Sequence, residues 1–209
     1  MKTENKDLQC CVTHCETPIN REYWEERWQK NETGWDLGTA APAITEYMSQ
    51  YPNKDDSILI PGCGNAYEAE FLRAQGFTNI TLIDISPKAA TQLRQKFQAF
   101  KEISVICEDF FRHEGKYDVI IEQTFFCAIP VSRRTEYAEK MAALLNPGGR
   151  IIGVLFDRQF DHPFPPFGGC PCEYKPIFEP HFEIKTMAPC NNSVPARAGT
   201  EVFINLLKK

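Results

Sequence analysis

Between Ser57 and Phe156 the chain alternates short apolar runs with helix-patterned stretches, and this alternation restricts its fold more than any other feature. The apolar runs are "SILI", "ITLIDI", "ISVICED", "YDVIIEQ" and "RIIGVLF". They are nearly continuous in hydrophobicity, as strands must be when helices cover both faces of their sheet. Between them lie "AYEAEFLRAQ", closed by Gly76, then "SPKAATQLRQKFQAF", with Ser86 as N-cap and Pro87 in the first turn, and "SRRTEYAEKMAALLN", ended by Pro147, Gly148 and Gly149. Repeated β-α-β units predict an α/β fold with a doubly wound, mostly parallel sheet. "FEIKTM" and "VFINLLKK" read as two closing strands, and "DRQFDHPFPPFGGCPCEY" before them reads as a loop.

Upstream, "NREYWEERWQK" reads as a helix capped by Asn20, with Tyr23, Trp24, Arg27 and Trp28 on one face. A second helix runs from Pro42 to about Tyr51. The expected organisation is a flexible tail over residues 1–19 and one domain over 20–209, made of a helical cover (20–51) and an α/β core (57–209).

The first βα junction is "ILIPGCGNAYEAEFL". Gly62 and Gly64 allow close approach of a ligand to the backbone at the carboxyl edge of the sheet. Asp84, twenty residues on at the end of the second strand, is placed to accept hydrogen bonds from ribose hydroxyls. The third glycine of the dinucleotide fingerprint is Tyr67, and Glu68 and Glu70 open the helix, a poor setting for a pyrophosphate. A phosphate-free, positively charged nucleoside such as S-adenosylmethionine fits better. At the end of the third strand Asp109 is positioned for an adenine amino group and Phe110 for stacking; a turn cap and a core residue are the alternative roles.

Composition narrows the partners. A net charge of -5 argues against a nucleic-acid phosphate backbone as partner. No apolar run reaches the roughly 18 to 20 residues of a membrane span. The polar start "MKTENKDLQCCVTHCE" has no apolar h-region, so a cytoplasmic location is expected. Nine scattered cysteines, without an export signal, predict no disulfide framework, and Cys170-Pro-Cys172 reads as loop. Cys10, Cys11, Cys15 and His14 do not form a pair of Cys-x-x-Cys hooks, and no metal is expected.

"RWQKNETGWDLG", "ILIPGCGNAYEAEFL", "CEDFF", "IIEQTFFCAIP" and "RAGTEVFI" together resemble the thiopurine S-methyltransferase superfamily, and within it the thiol and halide methyltransferase branch. The resemblance covers roughly residues 20–209. It implies the class I, S-adenosylmethionine-dependent, Rossmann-like fold, a seven-stranded sheet with one antiparallel strand and a helical cover. It also implies cofactor positions at Trp24, Trp28, Trp35, Gly62, Asp84, Asp109 and Phe110, with Gln123 at the end of the fourth strand. The family's tyrosine near the end of the fifth strand corresponds to Phe156, which puts a substrate role for a tyrosine hydroxyl in doubt.

Methyl transfer from a sulfonium is an in-line displacement that needs positioning at about 3 to 3.5 Å and exclusion of water. Phe125, Phe126, Phe156, Phe160, Phe164 and Phe167 supply aromatic wall material. Phe126, Phe156 and Asp157 are the pocket candidates, and no catalytic residue is assigned. Asp157 and His162 have the chemistry to take a thiol proton, with a cap and a surface histidine as the alternatives. Arg158 and Arg197 read as solvated, or as contacts for an anionic acceptor. The expected activity is methyl transfer to a small soft nucleophile, namely a thiol, bisulfide, thiopurine or halide. No membrane, nucleic-acid or obligatory protein partner is expected. Rival readings are a methyltransferase for another acceptor, such as nucleic acid, or a non-catalytic thiol- or metal-binding module.

Overall fold

The computed structural model describes residues 18–209; the N-terminal cysteines and His14 lie outside that range. Seven strands form one sheet in the order β3-β2-β1-β4-β5-β7-β6. They are β1 (Ile58–Pro61), β2 (Ile80–Asp84), β3 (Ile103–Cys107), β4 (Tyr117–Gln123), β5 (Leu145–Phe156), β6 (Phe182–Pro189) and β7 (Glu201–Lys208). β1 to β5 run parallel, and β7 lies antiparallel to both β5 and β6. The chain leaves β1 in one direction to β2 and β3 and returns on the other side to β4. The crevice at the carboxyl ends of β1 and β4 is therefore the topological switch point, where ligands bind in open α/β sheets.

Alternation along the strands feeds two cores. Leu59, Ile120, Ile151 and Leu155 pack against Tyr137, Ala138 and Met141 of α5 (Arg134–Leu144) and Tyr174 and Phe178 of α6 (Pro171–Phe178). Ile58, Ile60, Ile121 and Ile152 face α2 (Pro42–Ser49), α3 (Tyr67–Ala74) and α4 (Pro87–Phe97) through Ile44, Met48, Ala69, Leu72, Leu93 and Phe97. Both expected N-caps form. Asn20 Oδ1 accepts from Tyr23 N at the start of α1 (Arg21–Lys30), and Ser86 Oγ accepts from Ala89 N at the start of α4.

Three local expectations are corrected. The Pro147-Gly148-Gly149 stretch does not simply end α5 but lies within β5. Tyr117 pairs with Leu145 and Val119 with Arg150, so residues 146–149 bulge out of the ladder. Asn146 Nδ2 donates to Asp118 Oδ1 across the bulge. The Pro-rich loop after β5 contains α6, because Pro171 occupies a first-turn position and Tyr174 and Phe178, one turn apart, bury against Phe126. Cys170 and Cys172, whose Cα atoms are 5.3 Å apart, form a disulfide where none was expected.

Candidate active site

The turn after β1 is built from positive-φ residues, with Gly62 at φ 55 and Gly64 at φ 53. A Cβ on Gly62 would drive into the Phe125 ring, whereas one on Gly64 would meet only the Trp35 indole nitrogen, at 3.8 Å. Gly62 thus lets an aromatic ring from the β4 end lie directly on the turn. Asp84, 7% exposed at the end of β2, holds the same turn from the other side. Its Oδ2 accepts from Gly64 N at 3.2 Å and its Oδ1 from Ser86 N at 2.9 Å. Burial pushes this carboxyl up to about 6, against the pull of those two backbone donors.

The cover is fastened by polar contacts from several elements. On α1, Glu25 Oε2 accepts from Ser86 Oγ (2.6 Å) and Lys88 N (3.0 Å), placing an anion at the N-terminus of α4. Lys88 Nζ donates to Trp28 O at 2.7 Å. Trp24 and Trp28 meet Trp35 edge-on, with ring centroids 5.4 and 6.0 Å away. Asp36 Oδ2 accepts from Asn65 Nδ2 and the Tyr67 hydroxyl, and Glu68 Oε1 accepts from Ala41 N. Tyr67, which fills the third-glycine position, and Glu68 therefore hold the cover.

Beneath the cover lies a cavity of about 1080 Å³. Trp24, Trp28, Trp35, Gly62, Gly64, Asp84, Asp109, Phe110, Gln123 and Phe156 all line it. Asp109 also caps the following turn through Phe111 N at 3.0 Å, and Phe110 is largely core, edge-on to Phe111 and Phe125. The Gln123 Nε2 is buried beside this space with no hydrogen-bond partner among the described residues.

Two pocket candidates lie elsewhere. Phe126 is 1% exposed and packed among Tyr137, Tyr174 and Phe178, in the core behind the cavity. Asp157 is exposed outside it, its N–H donating to Thr200 O. Phe160, Phe164 and Arg158 do line the far end, and Arg158 stands over the Phe160 ring. Phe167 is buried, and His162 stacks on Phe164 with centroids 4.2 Å apart.

Arg197 is not solvated. Its side chain is 11% exposed; one terminal nitrogen donates to Thr124 Oγ1 (3.2 Å) and Glu201 Oε1 (3.3 Å) and the other to Trp35 O (3.1 Å). The guanidinium lies 5.0 Å above the Phe156 ring. Sequence reading also passed over Glu122, Thr124 and Tyr137. Glu122 is fully buried and accepts from Phe125 N, Phe126 N and the Tyr137 hydroxyl. The available signal was an acidic residue directly after the apolar run at residues 119–121. Thr124 adopts φ 62, a rare conformation for a β-branched residue and one that clusters at functional sites.

Four similarities bear on this site. The model of the family described as thiopurine S-methyltransferase matches residues 19–204. Probable thiol methyltransferase 2 of Arabidopsis thaliana is 32% identical over 184 residues, covering 85% of this chain and 81% of its own. Thiopurine S-methyltransferase of Photobacterium profundum is 28% identical, covering 77% of this chain and 83% of its own. Among solved structures, the Burkholderia thailandensis 1,6-didemethyltoxoflavin-N1-methyltransferase, with 1,6-didemethyltoxoflavin and S-adenosylhomocysteine bound, superposes with a TM-score of 0.74. It shares 14% identity, over 91% of this chain and 88% of its own. Among the described residues no helix is long and apolar enough to cross a membrane.

Proposed function

Because this chain belongs to the thiopurine S-methyltransferase family, we propose that it methylates a small soft nucleophile: an organic thiol, bisulfide, a thiopurine or a halide. The chain is an S-adenosylmethionine-dependent methyltransferase. The cofactor supplies a methyl group carried on a positively charged sulfur.

The residues present fit that cofactor. The Gly62 turn has no room for a side chain, and the unpartnered Gln123 amide offers a donor beside the cavity. In this reading Asp84 accepts from the ribose hydroxyls, and Asp109, with Phe110 behind it, borders the adenine. Trp24, Trp28 and Trp35 wall the sulfonium end, where cation–π contact is worth about 0.5 to 2 kcal/mol per ring.

The observation that carries the acceptor class is the far end of the cavity, lined by Phe156, Phe160 and Phe164 with Arg197 above Phe156. Apolar walls hold soft, weakly hydrated acceptors and exclude water from the reacting groups. The protein's task is alignment, since a thiol of pKa about 8.5 already supplies some thiolate at neutral pH. A panel of bisulfide, iodide and an aromatic thiol with labelled S-adenosylmethionine tests this. Methylation of at least one is expected; transfer only to nucleic acid, or to none of the three, would sink the reading.

Trp35→Ala tests the cover. The ring packs on two tryptophans, and the residue's own carbonyl oxygen accepts from Arg197. The variant is expected to lower kcat/KM by about 10- to 100-fold, corresponding to roughly 1.4 to 3 kcal/mol. Steady-state kinetics at varied cofactor checks this, and wild-type values would make the cover purely structural.

A further inference from the structure

A second, much smaller cavity lies directly behind the acceptor end. Its volume is about 10 Å³, room for one water molecule. Thr124, Cys127, Phe156 and Arg197 border both spaces and form the wall that the two share. At its rear stand Glu122 and Glu201. Thr124, Arg197 and two glutamates are in its lining, residue types able to supply the two to four polar partners that a buried water requires.

We propose that Glu122 receives the proton of the acceptor thiol through a single water held in this small cavity. The proposal rests on the thiol reading of the site. Glu122 has capacity for it. Oε1 is taken by the N–H groups of Phe125 and Phe126, both at 2.9 Å, while Oε2 takes only the Tyr137 hydroxyl and keeps a second acceptor position.

The proton step is balanced. The thiol S–H bond breaks and its electron pair stays on sulfur. The water accepts that proton as it gives one of its own to Glu122 Oε2. The thiolate so formed is the nucleophile, and Glu122 returns its proton through the same water to solvent after product leaves. Burial places the Glu122 carboxyl at about 7, against the hydrogen bonds of Tyr137, Phe126 and Phe125, so it cycles near neutral pH.

The other groups that line this cavity or pack against Glu122 and the lining rings do not take that role. Tyr137 from α5 is pushed up by burial and by Glu122 itself, and Tyr174 from α6 is likewise raised by burial. Cys127 is pushed up to about 12 by burial and stays a thiol. Glu201 is paired with Arg197 at 3.3 Å. Arg134 from α5 stacks over Phe126 and Tyr174 and donates to Phe167 O and Gly168 O. β5 contributes only Val154, Leu155 and Phe156.

The test compares an acceptor that carries a proton with one that does not. In Glu122→Gln the ratio of kcat/KM for an alkyl thiol to that for iodide, at pH 7, is expected to fall about 10- to 30-fold, the upper end set by the few per cent of thiolate present unaided. The thiol activity should recover as pH rises past about 8.5, where the thiol ionises unaided. A ratio equal to that of the wild type would overturn the proposal. Two measurements on the wild-type protein stand should the variant not fold. The thiol rate should rise through pH 7 at the same midpoint for two thiols of different pKa, and the iodide rate should show no such rise. In the unliganded protein an infrared carboxylic acid band should titrate near pH 7. A midpoint that follows the thiol, or no such band, would overturn it. Wild-type protein that methylates no thiol sinks the thiol reading and this proposal together, whereas an unchanged ratio sinks this proposal alone.

Discussion

Gly62→Ala is expected to abolish measurable cofactor binding and to destabilise the chain by roughly 2 to 5 kcal/mol, adding a left-handed backbone penalty to overpacking. The new methyl group cannot be absorbed by a flexible side-chain tip, because what it meets is the body of the Phe125 ring. That ring is held edge-on to Phe110 at 5.1 Å and tilted against Tyr137 at 6.0 Å. Its remaining direction of escape is the cavity, which it already lines. The substitution therefore closes the space it borders. Thermal unfolding and calorimetry with S-adenosylmethionine check the two effects separately. A variant that binds the cofactor as the wild type does would show that Phe125 can move without cost and that the turn is not part of the site.

Asp84→Ala is expected to weaken S-adenosylmethionine by about 1 to 3 kcal/mol, roughly 5- to 150-fold, if the carboxylate holds the ribose hydroxyls. The same change leaves the N–H groups of Gly64 and Ser86 without their partner, so stability should fall as well. The wild-type protein offers an independent check through pH. In the free protein the carboxyl lies at about 6, above the ordinary aspartate value near 3.9. A folded value raised in this way contributes stability that is fullest below about 3.9 and is lost as pH rises through about 6. Cofactor hydroxyls prefer the ionised form, so affinity should change in the opposite sense, rising between pH 5 and pH 7. Affinity independent of both the substitution and pH would remove Asp84 from the ribose.

What could be read without coordinates was whatever local chemistry dictates. Asn20 and Ser86 announce helix starts because their side chains replace a missing backbone partner, and both do so. β4 was legible to the residue, since "YDVIIEQ" lies between polar boundaries. The alternation of strand and helix left little choice of fold class. Failures came where distant partners override local signals. Pro147 and the two glycines after it normally stop a helix, yet cross-strand pairing of β5 with β4 and β7 carries them into a bulged strand. Pro171 looked like loop, but the burial of Tyr174 and Phe178 against a ring 45 or more residues earlier makes a helix there. Arg197 is an ordinary surface residue by composition. Only the fold reveals that Glu201, Thr124 and the Trp35 carbonyl converge on it.

That last convergence has a consequence for synthesis. The hydrogen bond from Arg197 to Trp35 O joins positions 162 residues apart. The strand that completes the sheet beside β5 follows only after it, at Glu201–Lys208. A growing polypeptide can assemble β1 to β5 and both glycine positions of the first turn and still lack the clamp that seats the cover. The tie between the cover and Arg197 is thus the last of the cover's contacts to become available, as the C-terminal segment docks. Fragments that stop before Arg197 should keep the contacts of the cover with α3 and α4 but lack its tie to Arg197.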